Sequence, residues 1–96
     1  MACYFIAQLN IHNPKGYQKY LDGYDEVFSK FKGEVVAVDD EVTLLEGKWP
    51  FRRTVVIRFP DKTEARRWYD SEEYKDLMKF RRRAANANII LAEGRE

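Results

Sequence analysis

The hydrophobic period of this chain changes from two residues to three and four, returns to two, and then repeats the cycle. From Cys3 onward the odd positions carry Cys3, Phe5, Ala7, Leu9 and Ile11, against Tyr4, Ile6, Gln8, Asn10 and His12 at the even ones. Such alternation is the pattern of a strand with one buried face. Tyr17, Tyr20, Leu21, Tyr24, Val27, Phe28 and Phe31 then recur at helical steps and form a single apolar stripe. Asn13-Pro14 opens this helix, because Asn caps a free backbone N–H and proline at the first helical position has none to leave unpaired. The stripe predicts a helix that runs to near Gly33, with the glycine as its left-handed cap.

Glu34 to Val38 and Val42 to Glu46 are short apolar runs separated by Asp39-Asp40-Glu41, and they predict either a hairpin or one bent strand. A loop over Gly47 to Arg52 carries Trp49 and Pro50. Arg53 to Phe59 then sets Val55, Ile57 and Phe59 against Thr54, Val56 and Arg58, a strand that Pro60 stops. Asp61 with Glu64 makes a capping box, and Ala65, Trp68 and Tyr69 follow on one face. Asp70 and Ser71 form a second cap, so this helix breaks and restarts. The restarted helix has Tyr74, Leu77, Met78, Arg81, Ala84 and Ala85 on its stripe, and Asn88 to Glu93 is the last strand. The order β-α-β-(β)-β-α-α-β, with no linker or repeat, predicts one α+β domain over residues 1–96. Its expected form is ferredoxin-like (split βαβ), an antiparallel sheet with the helices on one face.

Composition narrows the classes of function. A chain of 96 residues, 45% of them hydrophobic, holds one core and has no long uncharged apolar run, so no membrane partner is expected. Lys and Arg number 17 against 16 Asp and Glu, a balance without the strong field that recruits nucleic acid. The strand over residues 53–59 also lacks the stacking aromatics of an RNA-recognition sheet. Cys3 is the single cysteine and reads as a strand residue, and the start lacks the basic and apolar regions of a secretion signal, so a cytoplasmic location is expected. The fold leaves one sheet face bare, yet Tyr4, Ile6 and Val56 point there. An identical subunit is the simplest cover, which predicts a homodimer.

The runs Tyr4-Phe5-Ile6-Ala7-Gln8, Glu46-Gly47-Lys48-Trp49-Pro50 and Trp68-Tyr69-Asp70-Ser71, with Tyr74 beyond, resemble a family known as domain of unknown function 1330. The likeness spans nearly the whole chain. That family is similar to the dimeric α/β-barrel superfamily, so the resemblance implies two ferredoxin-like sheets stacked face to face. The superfamily includes cofactor-independent monooxygenases, lactone isomerases, haem-using enzymes and ligand-binding regulatory domains, and fold therefore does not choose the function.

Several polar residues stand where chemistry needs them. Arg81 interrupts the apolar stripe of the last helix, so it either pairs with a carboxylate such as Glu46, snorkels to water, or holds an anionic ligand by a forked hydrogen bond. Glu46, at the end of an apolar run, is a candidate general base, or else a partner for arginine or a cap for the loop. His12, the single imidazole, stands where the first strand meets the first helix, and is read as a proton carrier or a solvated surface residue. Tyr17, Tyr20, Tyr24, Trp68 and Tyr74 form an aromatic lining. Tyr20, Trp68 and Tyr74 are assigned, with Glu46 and Arg81, to a ligand pocket between sheet and helices. Trp49 covers the pocket mouth, lies at a dimer seam or packs internally.

No phosphate-cradling glycine loop, Cys-x-x-Cys, His-Glu-x-x-His or Gly-x-Ser-x-Gly is present, and neither a cofactor nor a metal is expected. The residues point to a small-molecule pocket, and the resemblance implies an enzyme of cofactor-independent oxygenase or isomerase type, acting on a small organic acid, ketone or lactone. The alternative is a non-catalytic ligand-binding or assembly domain.

Overall fold

The alternation at the start of the chain becomes the centre of the sheet. In the computed structural model, which describes residues 1–95, the elements are β1 (Cys3–Ile11), α1 (Pro14–Phe28), β2 (Glu34–Asp39), β3 (Arg53–Phe59), α2 (Lys62–Tyr69), α3 (Glu72–Ala84) and β4 (Ala85–Glu93). The four strands lie in the order β2-β3-β1-β4, each neighbouring pair antiparallel. This is the expected ferredoxin-like arrangement.

Register decides which side chains meet the helices. Phe5 stands between Ile57 and Leu91, and Ala7 between Val55 and Ile89, so the odd positions of β1 build one apolar floor. Tyr17, Tyr20, Ala65, Trp68, Tyr74 and Met78 come down on it from the helices. Trp68 is the hub, edge-on to Phe5 at 5.1 Å between ring centroids and tilted against Tyr74 at 4.3 Å. The caps form as their residues require: Asn13 Oδ1 accepts from Gly16 N, Asp61 Oδ1 from Glu64 N and Ser71 Oγ from Tyr74 N.

Four local expectations need correction. Helix α1 stops at Phe28, where Ser29 Oγ donates back to the Glu26 carbonyl at 2.8 Å, and Phe31 reaches the core from the turn beyond. Gly33 is not left-handed, since Gly47 is the only described residue with positive φ. Glycine is needed at 33 because a Cβ there would lie 2.7 Å from Phe28 Cε1 and 2.8 Å from Phe59 Cε1. Residues 42–46 form no strand; they belong to an exposed loop that turns at Gly47, where φ is +80°. Finally, β4 begins at Ala85 rather than Asn88, because the extended C-cap of α3 pairs at once with Ile11.

The other face of the sheet has no helix over it. Ile6 sits between Val56 and Ile90, with Ala37 beyond Val56, which makes an apolar row across all four strands. Ile90 is 58% exposed. The next row is polar, Thr54-Gln8-Asn88, with Gln8 Oε1 accepting from Asn88 Nδ2 at 2.9 Å. No helix among the described residues is long and apolar enough to cross a membrane.

Candidate functional site

The aromatic roof and the sheet do not close completely. Between them lies a cavity of about 80 Å³, floored by Phe5, Ala7, Leu9, Val55, Ile57 and Ile89. Helix α1 contributes Tyr17, Tyr20 and Tyr24 to its roof, α2 gives Trp68, and α3 gives Tyr74 and Arg81. The mouth opens beside Leu21, Val35 and Val38, all of them more than a third exposed. A bulge between Val35 and Ala37 in β2 shifts the register there, so that Val35 pairs with Ile57 and Val38 with Val55, opposite two residues of the floor.

Two features make this space chemical rather than merely apolar. Tyr20 and Tyr74 join hydroxyl to hydroxyl at 2.6 Å. Arg81, only 5% exposed, leaves Nε and Nη2 without a hydrogen-bond partner. Trp68 Nε1 and Arg53 Nε are likewise unpartnered. Arg53 reaches the cavity from the first position of β3, with its Nη1 bonded to Asp40 and its guanidinium 6.0 Å from the centre of the Tyr17 ring. Among the described residues no aspartate or glutamate lines the cavity.

Burial raises both phenols above their ordinary pKa, Tyr20 strongly, so both are neutral near pH 7. For Tyr20 the proximity and hydrogen bond of Tyr74 add to the rise; for Tyr74 the neighbouring Arg81 and the bond shared with Tyr20 oppose it. Either hydroxyl can donate in this pair, and whichever accepts keeps its own proton for a third oxygen. Burial opposes the charge of Arg81, but the neighbouring phenols Tyr74, Tyr20 and Tyr69 more than compensate, and its pKa lies above the ordinary value. The guanidinium is a fixed cation.

Of the five residues assigned to a pocket from sequence, Tyr20, Trp68, Tyr74 and Arg81 line this cavity. Glu46 does not: it is exposed in the loop after β2, and no ion pair joins it to Arg81 among the described residues. His12 is exposed at the β1–α1 junction, its backbone N–H donating to the Ala84 carbonyl, and it too lies outside the lining. Trp49 is also outside, with Nε1 donating to Thr54 Oγ1 at 3.0 Å; Thr54 belongs to the bare face of the sheet. Sequence reasoning missed Arg53, although its place in the odd register of β3, ahead of Val55, Ile57 and Phe59, was a usable signal. Among the described residues no group of three or more His, Cys, Asp or Glu is placed to hold a metal ion.

Sheet, helices and cavity define a ferredoxin-like α+β domain with an internal, acid-free, arginine-bearing pocket. The chain belongs to the family described as a domain of unknown function (DUF1330), which matches residues 2–95. No curated protein matches the sequence significantly. Among solved structures the chain is similar to RPA0582, a protein of unknown function from Rhodopseudomonas palustris, with 16% identity and TM-score 0.78, covering 99% of this chain and 83% of that one. It is also similar to SnoaB, a cofactor-independent oxygenase from Streptomyces nogalater, with 18% identity and TM-score 0.67, covering 99% and 94%. A dimeric ferredoxin-like protein of unknown function from Thermobifida fusca shares 11% identity at TM-score 0.68, covering 96% and 90%. At these identities the likeness establishes the fold alone.

Proposed function

We propose that the chain forms a homodimer whose subunits each bind a small organic acid, ketone or lactone in this cavity and act on it as a cofactor-independent enzyme of oxygenase or isomerase type. The observation that carries the proposal is Arg81, a buried cation with two unpaired donors beside the Tyr20–Tyr74 pair. Proton removal next to a carbonyl, which opens reactions of both types, puts negative charge on the carbonyl oxygen. A fixed guanidinium and a phenol O–H stabilise that oxygen more in the transition state than in the ground state, and an apolar cavity strengthens the effect. The similarity to a cofactor-independent oxygenase supports the same class.

Glu46 and His12 lie outside the cavity of their own subunit, so as proton carriers they act only through solvent or from a partner subunit. This placement favours the second reading, a ligand-binding domain without chemistry, which needs no base. For the dimer, support comes from the apolar row Ala37-Val56-Ile6-Ile90 on the bare face and from the relative described as dimeric. Native mass spectrometry of the gently purified protein reads subunit count and any retained small mass together. Once a substrate is found, folded Arg81→Met and Tyr74→Phe variants are expected to lose about 10²–10³ in kcat, the scale of a lost oxyanion donor. Unchanged turnover in both would refute the enzyme reading, and binding without turnover in the parent protein would establish the second.

A further inference from the structure

We infer that the ligand of this cavity is a monocarboxylate gripped by the Nε–Nη2 edge of Arg81. The inference rests on the small-molecule reading above and chooses among acid, ketone and lactone.

The two unpartnered atoms are not an arbitrary pair. Nε and Nη2 lie on the same edge of the guanidinium plane, and their N–H bonds run parallel, matched to the two oxygens of one carboxylate. This protein shows what that edge takes when an acid is at hand: Arg67 Nε donates to Glu64 Oε1 at 2.8 Å and Arg67 Nη2 to Glu64 Oε2 at 2.9 Å. Arg81 presents the same two atoms, buried, with no acid among the described residues to meet them. A ketone or lactone carbonyl has one oxygen for the two donors and suits the edge less well.

Charge and size sharpen the class. Arg53 is already balanced by Asp40, so one uncompensated cation remains and suits one negative charge; a dianion would leave excess charge among aromatic rings. The cavity, about 80 Å³, is roughly half the ~150 Å³ that admits benzene. A carboxylate with a short apolar chain fits, and a longer chain passes out between Leu21, Val35 and Val38. Both donor atoms are enclosed by neighbouring side chains, so entry displaces rings around Arg81. Binding is therefore accompanied by a change in the near-ultraviolet circular dichroism of the aromatic cluster.

The test is the melting temperature of the full chain at constant ionic strength with acetate, butyrate and hexanoate, compared with butyramide, butanone, γ-butyrolactone and inorganic phosphate. Butyrate or hexanoate is expected to raise it by about 4 °C or more at saturation and to alter the near-ultraviolet spectrum, while butyramide and phosphate do neither. Arg81→Lys, which keeps the charge and loses the fork, is expected to weaken carboxylate binding at least about tenfold, and Arg81→Met to abolish it. Equal shifts with butyramide, or undiminished binding by Arg81→Lys, overturn the inference. A shift with butanone or lactone and none with carboxylates overturns it while leaving the small-molecule cavity standing. If no organic probe acts, both fall.

Discussion

Replacing Arg81 by methionine should make the folded protein more stable. Two of its donor atoms are buried without partners, and each such donor costs about 1–3 kcal/mol of desolvation. Against this, the arginine sits in the last turn of α3, where a cation gains about 0.3–1 kcal/mol from the helix dipole. Its proximity to the Tyr74 hydroxyl returns about 1 kcal/mol more. Methionine follows the path of the aliphatic stem and removes the charge, so a net gain of about 1–2 kcal/mol is expected, within the range found for replacing buried ions by apolar residues. For a domain of this size that corresponds to a rise in melting temperature of roughly 5–15 °C, read by differential scanning calorimetry at neutral pH without added ligand. A fall of several degrees, with secondary structure and subunit count unchanged, would refute the reasoning. It would show that Arg81 is held by the fold for its own stability.

The remaining expectations concern other parts of the molecule. If the proposed homodimer forms through the bare face, Ile6→Lys, at the centre of its apolar row, is expected to weaken it on the order of 100-fold by burying an unpaired charge; sedimentation showing an intact dimer would count against that face as the interface. Gly33→Ala forces a methyl group onto Phe28 and Phe59 and should cost about 1–3 kcal/mol, seen as a lower urea midpoint with unchanged slope. Glu64 is held down to about pKa 2 by hydrogen bonds from Arg67 and the Lys32 backbone N–H, below its ordinary 4.5. Because the folded-state value is the lower one, the stabilisation is complete above pH 4.5 and is lost as pH falls toward 2. Glu64→Gln should flatten that acid limb in pH-dependent denaturation; an unchanged limb would locate the acid sensitivity elsewhere.

What could be read from sequence divides along physical lines. Strands β1 and β3 and the break between α2 and α3 were legible because period, cap and stop residue agree at Cys3–Ile11, at Pro60 and at Asp70-Ser71. The end of α1 was not. The apolar stripe continues to Phe31, but Ser29 closes the helix first, and a turn carries Phe31 to the same core. Likewise Val42, Leu44 and Leu45 have the composition of a strand but no neighbour to pair with; Leu45 is 89% exposed. Without that strand Glu46 has no inward direction, which is why its expected meeting with Arg81 does not occur. Arg81 itself was visible because a charge at helical spacing within an apolar stripe has few other outcomes. Its unpaired edge was not, since only three-dimensional neighbours show which of its nitrogens are met.

The position of the cavity mouth has a kinetic consequence. It opens beside β2, an edge strand hydrogen-bonded to β3 alone and exposed at every residue, whereas the floor belongs largely to β1, the strand paired on both sides. Fluctuations that loosen β2 leave the Phe5–Trp68–Tyr74 cluster intact, so they cost far less than global unfolding. Backbone amides of Glu34–Asp39 should exchange with solvent long before those of Cys3–Ile11. Access to the cavity mouth would then keep time with the fraying of one strand, while seating a ligand against Arg81 waits on the rings that enclose its donor atoms.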